Sequence, residues 1–237
     1  NIFPGNTSEK ETLIPEIHNI KRRHNIDKVI VVADRGLNCS ENMYKLSGLD
    51  LDQKNRDGYV YGQSVRGADS EFKEWILKDD YKIDKIIDED GNEIIFKHKS
   101  RIYPKKMYVI REDKGLTKSG NVKKQTITVD QKQMVYYSQK YADKQKRDRQ
   151  MVIEKAKDLI KNPSAYTRAT SYGAAGYINN IKFDKETGVV SNSSELSLNL
   201  EKIKEDEKFD GYYSIVTSEE HLSDLELRNI YKGLSKI

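Results

Sequence analysis

The chain has 237 residues, 36% of them hydrophobic and 34% charged, with a formal net charge of +4. This is the length of one large domain or of a domain carrying an insertion, and 15 Tyr among many Ile and Val leave material for a core despite the polar balance. A single cysteine, Cys39, excludes an internal disulfide and suits a reducing cytosol, and no stretch approaches the ~20 apolar residues of a membrane span.

The opening residues have neither the basic start nor the apolar run of a signal peptide. Without an initiator Met, they read as the interior of a longer chain. Thr7 or Ser8, with Glu11 placed to return the hydrogen bond, predicts a capped helix over 8–24 carrying Leu13, Ile14, Ile17 and Ile20 at helical spacing. Residues 29–33 are a β-branched run that suits a strand buried on both faces; it ends at Asp34-Arg35-Gly36. A short helix over 40–47 and a strand over 59–65 follow. Strand, helix, strand with short links is the grammar of a parallel sheet.

Beyond Arg66 the texture changes. A short helix is predicted over 70–77. A meander follows over 81–111, with an Asp-Gly turn near 88–92 and separate strands at 93–98 and 107–111. After a polar loop at 115–121, another strand is expected over 122–129. A long helix spans 131–161, stopped by Asn162-Pro163. A hairpin around residues 185–188, a strand over 195–204 and a strand over 212–217 come next. Ser223 then caps a final helix.

Charge is unevenly distributed. Residues 97–161 hold 19 Lys and Arg against 7 Asp and Glu, while the remainder holds 23 against 31. A cationic block on a near-neutral frame is the footprint of a phosphate backbone; the alternative is a solvated helix face. Within it, Tyr136, Tyr137 and Tyr141 stand beside Lys140, Lys144, Lys146, Arg147 and Arg149. Cations neutralise phosphates and aromatics stack on unpaired bases; alternatively the tyrosines pack on the domain while the cations face water.

Asp34 is the main candidate for chemistry. A carboxylate at the C-terminal end of a buried strand occupies the place where open α/β sheets carry their sites, and Arg35-Gly36 permits a turn that leaves it facing a crevice. Hard cations such as Mg²⁺ take carboxylate oxygens, and phosphoryl transfer uses pairs of such ions. The competing reading is a simple turn cap.

The stretch Val31-Val32-Ala33-Asp34-Arg35-Gly36-Leu37-Asn38 resembles the second-aspartate motif of DDE-type insertion-sequence transposases. Phe3-Pro4-Gly5-Asn6 and the helix after it are similar to the family's segment before that strand. Asp57-Gly58-Tyr59 with Ser64-Val65-Arg66 resembles the strand after it, and Phe209-Asp210-Gly211-Tyr212-Tyr213 with Thr217-Ser218 resembles the strand leading into the last catalytic helix. The resemblance implies an α/β fold with a ribonuclease-H-like mixed sheet, incomplete here and interrupted by a β-rich and long-helix insertion. The expected segmentation is 1–65 and 209–237 for the sheet domain and 66–208 for the basic insertion.

It further implies Mg²⁺-dependent (or Mn²⁺-dependent) strand cleavage and transfer at transposon ends in a bacterial cytoplasm, close to the nucleoid. DNA is the implied partner, contacted by the insertion's cations and Arg66, and intact enzymes of this kind act as homodimers on paired ends. Asp34 would be one of three metal-holding carboxylates, with Gly36 and Tyr231 as motif residues. The family's first aspartate belongs upstream of residue 1. Counting seven residues on from Tyr231 puts its glutamate at position 238, and Leu234 stands at the motif's Arg position. The chain alone is therefore expected to be inactive in strand transfer; the alternative function is a non-catalytic DNA-binding remnant.

Other candidates are weaker. Trp75 shares a short helix with Phe72 and Ile76 and reads as packing. His18, His24, His98 and His221 lack metal-ligand spacing. The glycine-containing segment 170–176 lacks the Lys-Ser/Thr ending of a phosphate loop.

Overall fold

The computed structural model describes residues 9–48, 56–88, 91–110, 115–191 and 195–236. The expected cap at Thr7 or Ser8 and the segment Phe3–Asn6 lie outside them. In chain order the regular elements are α1 (Glu9–His24), β1 (Ile30–Ala33), α2 (Ser40–Leu46), β2 (Gly58–Gln63), α3 (Ser70–Leu77), β3 (Lys82–Ile87), β4 (Glu93–Ile110), β5 (Lys124–Tyr137), α4 (Gln139–Lys161), β6 (Ile178–Asn179), β7 (Ser197–Leu198), α5 (Leu200–Glu207), β8 (Tyr212–Thr217) and α6 (Asp224–Lys232). Six strands form one mixed sheet in the order β1-β2-β8-β5-β4-β3, so the fold is α/β. Strands β1 and β2 are parallel, whereas β2–β8 and β3–β4 are antiparallel. Among the described residues no helix is long and apolar enough to cross a membrane.

The chain forms two compact units, residues 1–136 with 213–237, and residues 137–212. The first contains the six-stranded sheet, including the strands of 82–110, which fall within the segment 66–208 expected to be the insertion. One of its cores joins Tyr59, Tyr61, Ala33, Met107, Val109 and Val216 to Ile17 of α1 and to Met43, Tyr44 and Leu46 of α2. A second joins Val60, Phe96, Met134, Tyr136 and Ile215 to Leu227 of α6. Neighbouring residues of β2 thus enter different cores, as the period of two along a strand requires: α1 and α2 cover one face of the sheet, α6 the other.

The second unit packs α4 through Ala156 and Leu159 against Ala174, Ile178 and Val190, with Val152 at the margin. The hairpin expected near 185–188 is present, closed by the antiparallel bridge Phe183–Val190, and Thr167 bridges to Val189 from outside it. Gly211 has φ +84°, and a β-carbon there would crowd Tyr137, Ala142 and the Ser138 carbonyl. Its own carbonyl accepts from Ser138 N–H and its N–H donates to Gln145 Oε1. The glycine therefore allows the chain to press against the start of α4.

Three segments depart from expectation. Residues 131–137 continue β5, and α4 begins only after Ser138, whose side chain accepts from Tyr141 N–H. Gln131, Lys132 and Gln133 are buried in that strand and satisfied by distant groups: Tyr59 Oη donates to Gln131, Arg101 Nε donates to Gln133, and Lys132 donates to the Leu222 carbonyl. Residues 195–204 do not form one strand; Asn199 accepts from Lys202 N–H and starts α5. Strand β4 runs unbroken through Pro104. Strand β3 pairs only with residues 93–98, so it claims no hydrogen bond from the missing Pro104 N–H.

Candidate functional site

Asp34 follows β1 directly. Its backbone is extended, and its Oδ1 accepts from Gly36 N–H at 2.7 Å, capping the short 3₁₀ turn Arg35–Leu37. The capping geometry is therefore present, and the residue is exposed. Gly36 is not among the glycines of positive φ.

Register and alternation place Asp34 in the sheet. Ala33 pairs with Tyr61, so the next step of the parallel ladder sets Asp34 level with Gly62. Val31 and Ala33 belong to the core under α1 and α2; Val32 and Val60 belong to the core under α6. One further residue puts Asp34 and Gly62 on the α6 side. There Tyr231 of α6 lies with its hydroxyl directly over Gly62, where any β-carbon would overlap it. Asn38 Nδ2 donates to the Gly62 carbonyl at 3.0 Å and ties the turn after Asp34 to the same point. Two residues singled out in sequence, Asp34 and Tyr231, thus converge on the C-terminal ends of β1 and β2.

For a hard divalent ion, this site offers one exposed carboxylate with one oxygen already engaged by an amide. Among the described residues no three His, Cys, Asp or Glu side chains gather as a metal-holding group. Mg²⁺ retains several waters and is commonly held through one or two carboxylates, so Asp34 fits as a single ligand. A two-ion centre needs further carboxylates.

The opposite end of α6 carries a polar cluster that sequence reasoning missed. Asp224, in the first turn of the helix, receives His98 Nδ1 at 2.7 Å and Lys132 Nζ at 3.0 Å. His98 Nε2 faces Asp84 Oδ2 at 2.8 Å, and the imidazole stacks on Phe96 with 4.2 Å between centroids. Both ring nitrogens thus face carboxylate oxygens. Burial works to raise the Asp224 pKa, but hydrogen bonds from His98, Lys132 and Ser100 outweigh it and hold the carboxyl below its ordinary value. The Ser223–Glu226 capping box fixes the same turn. That box is legible in sequence; the partners, drawn from β3, β4 and β5, are not.

The cations of α4 divide into two kinds. Lys140, Lys144, Lys146 and Arg147 are exposed. Arg149 is buried and clasped by Asp210 at 2.5 Å and Glu207 at 3.3 Å. Burial acts to lower its pKa, yet the Asp210 and Glu207 carboxylates raise it overall. Arg149 therefore anchors α4 to the turn after α5, while Lys140, Lys144, Lys146 and Arg147 are accessible, as are Lys157 and Lys161 further along the helix. Arg66, in the other unit, is half-buried just beyond β2. Trp75 packs as expected, with the Arg101 guanidinium 4.5 Å from its ring and Phe72 beside it.

Comparison with protein-family models, with curated proteins and with solved structures gives no match.

Proposed function

We propose that this chain is part of a DNA-processing enzyme of the DDE transposase type, with a ribonuclease-H-like sheet. In this reading Asp34 contributes one carboxylate to a metal-dependent phosphoryl-transfer centre, and the α4 cations hold DNA. The observation that carries it is the meeting of Asp34, Gly62 and Tyr231 on the α6 side of the parallel pair β1–β2. A carboxylate at the C-terminal end of a parallel strand, beside the tail of a packed helix, has the setting that open α/β sheets give to a site. Mg²⁺ would supply charge neutralisation at the scissile phosphate. Asp34 supplies one ligand, so the activity requires two further carboxylates and is assigned to the complete enzyme rather than to these residues alone.

A second reading, a DNA-binding module without catalysis, draws on the exposed Lys140, Lys144, Lys146 and Arg147. The two separate cleanly. DNA binding is measured against salt for the parent chain, for the quadruple charge reversal of these residues to Glu, and for Asp34→Asn, with and without Mg²⁺. Four phosphate contacts correspond to a log–log salt slope of about −3.6 on duplex DNA, which the reversal removes. The enzyme reading expects Mg²⁺-dependent cleavage of transposon-end DNA by the full-length protein, lost in Asp34→Asn. Unchanged cleavage in Asp34→Asn removes Asp34 from the centre, and an unchanged salt slope removes α4 from the DNA surface.

A further inference from the structure

His98 is buried in β4, between the outermost strand β3 and the first turn of α6. Its Nδ1 is 2.7 Å from Asp224 Oδ2 and its Nε2 is 2.8 Å from Asp84 Oδ2. An ionised carboxylate only accepts, and a neutral imidazole has one N–H to donate and one bare nitrogen. A neutral ring therefore satisfies one of the two contacts and sets lone pair against lone pair at the second. The imidazolium, with two N–H groups, satisfies both. The other charged and titratable groups around the ring take different partners or positions. Lys132 of β5 is committed to Asp224 Oδ1 and the Leu222 carbonyl. Arg228 of α6 lies over the Phe96 ring on which the imidazole stacks, and Tyr136 of β5 meets the same ring. Lys82 stands opposite His98 in the β3–β4 ladder.

We propose that His98 is a proton-operated latch: doubly protonated, it ties the edge strand β3 through Asp84 to the start of α6 through Asp224, and on losing one proton it releases β3. The proton that remains belongs on Nδ1. The Asp224 side chain is 9% exposed and needs its donor, whereas that of Asp84 is 60% exposed and exchanges its donor for water. Strand β3 depends on this tie. Its ladder with β4 closes at Ile87–Glu93 and is open at Lys82–His98, so Asp84 lies near the end that frays first. A second tie, Lys85–Glu93, joins side chains that are 73% and 61% exposed, where an ion pair contributes little. The latch is closed on the acid side and opens as pH rises. Asp224 has the opposite sense, since its contribution is lost as pH falls. The latch involves neither Asp34 nor α4 and stands whether or not the chain processes DNA.

Backbone amide exchange of β3, corrected for the intrinsic pH dependence of exchange, is followed from about pH 5 to 9, with the amides of β8 as the reference for the rest of the sheet. Ring-nitrogen NMR reads the protonation of His98 over the same range, since an imidazolium has two N–H nitrogens and a neutral ring has one. Exchange in β3 should quicken by about fivefold, the loss of one hydrogen bond to a mostly exposed charge, in step with the second His98 proton and without a matching change in β8. Asp84→Asn is the separating variant. Its side-chain amide donates to a bare Nε2 and its oxygen accepts from a protonated one, so β3 should stay protected across the range. Exchange in β3 that ignores the His98 titration overturns the proposal. So does an Asp84→Asn chain that keeps the pH response of the parent or shows no protection at any pH. A rise shared equally by β8 reports global stability and refutes the latch as well.

Discussion

Replacing Arg149 by Met tests whether this cation binds DNA or builds its own unit. Its side chain is 7% exposed and that of Asp210 is 12% exposed, while Glu207 is more than half in solvent. Removing the guanidinium takes a cation away from the buried Asp210 carboxylate, and breaking such a pair costs about 3–5 kcal/mol. Taking 3 kcal/mol, because Asp210 retains some solvent, and a shift of about 2–4 °C per kcal/mol for a chain of this size, Tm should fall by roughly 10 °C. Asp210→Leu added to Arg149→Met removes the carboxylate as well and should recover part of the loss, since an apolar replacement of both partners is often close to neutral. Thermal melting followed by circular dichroism reads the stability. DNA binding against salt, well below the melting range, reads the proposed DNA contact and should keep whatever slope the parent chain has. If Arg149→Met melts like the parent and binds DNA more weakly, the clasp to Asp210 is not what this arginine is for.

Three further outcomes are expected. Asp34→Asn retains an oxygen for the Gly36 amide and should melt within about 0.5 kcal/mol of the parent, yet on the proposed function it should lower Mg²⁺-dependent DNA cleavage more than about a hundredfold; a large loss of stability would mark Asp34 as structural. Gly62→Ala should cost about 1–3 kcal/mol by overpacking, and Tyr231→Phe in the same chain should recover part of it; strictly additive effects in denaturant melts would show that the two do not touch. Asp224 has a folded-state pKa below its unfolded value of about 3.9, so its contribution is fully present above that value and is lost as pH falls through the lowered one. Asp224→Asn should therefore flatten the decline of the denaturation midpoint below about pH 4, and an unchanged acid limb would contradict the role given to His98, Lys132 and Ser100.

Much of the frame was legible because its signals are local. The β-branched run before Asp34, the spacing of Ile17 and its neighbours, and the Ser223 cap each state a strand or helix within a few residues, and each element is present. Residues 131–137 were misread because their burial depends on non-local partners. Gln-Lys-Gln looks like a solvated helix face until Tyr59, Arg101 and Leu222 are brought to it. The alternation after residue 195 similarly hid a cap at Asn199 that competes with strand formation. At the candidate site, the motif pointed to Asp34 and Tyr231 separately. Their meeting at Gly62 is a property of the parallel register and of the packing of α6. Arg149 shows the reverse case: its neighbours in sequence are exposed cations, and only the turn holding Asp210 sets it apart.

The contacts of α6 give that helix an unequal mounting. Its first turn is held by the capping box and by His98 and Lys132, and its last turn rests through Tyr231 on a bare patch of β2. The helix thus acts as a ruler fixed at its zero mark: whatever its far end presents beside Asp34 is set by the number of residues counted from Asp224. Adding or removing one residue turns everything beyond by about 100° and shifts it about 1.5 Å, which carries Tyr231 off Gly62. Substitutions along the exposed flank of α6 can vary freely; its length cannot.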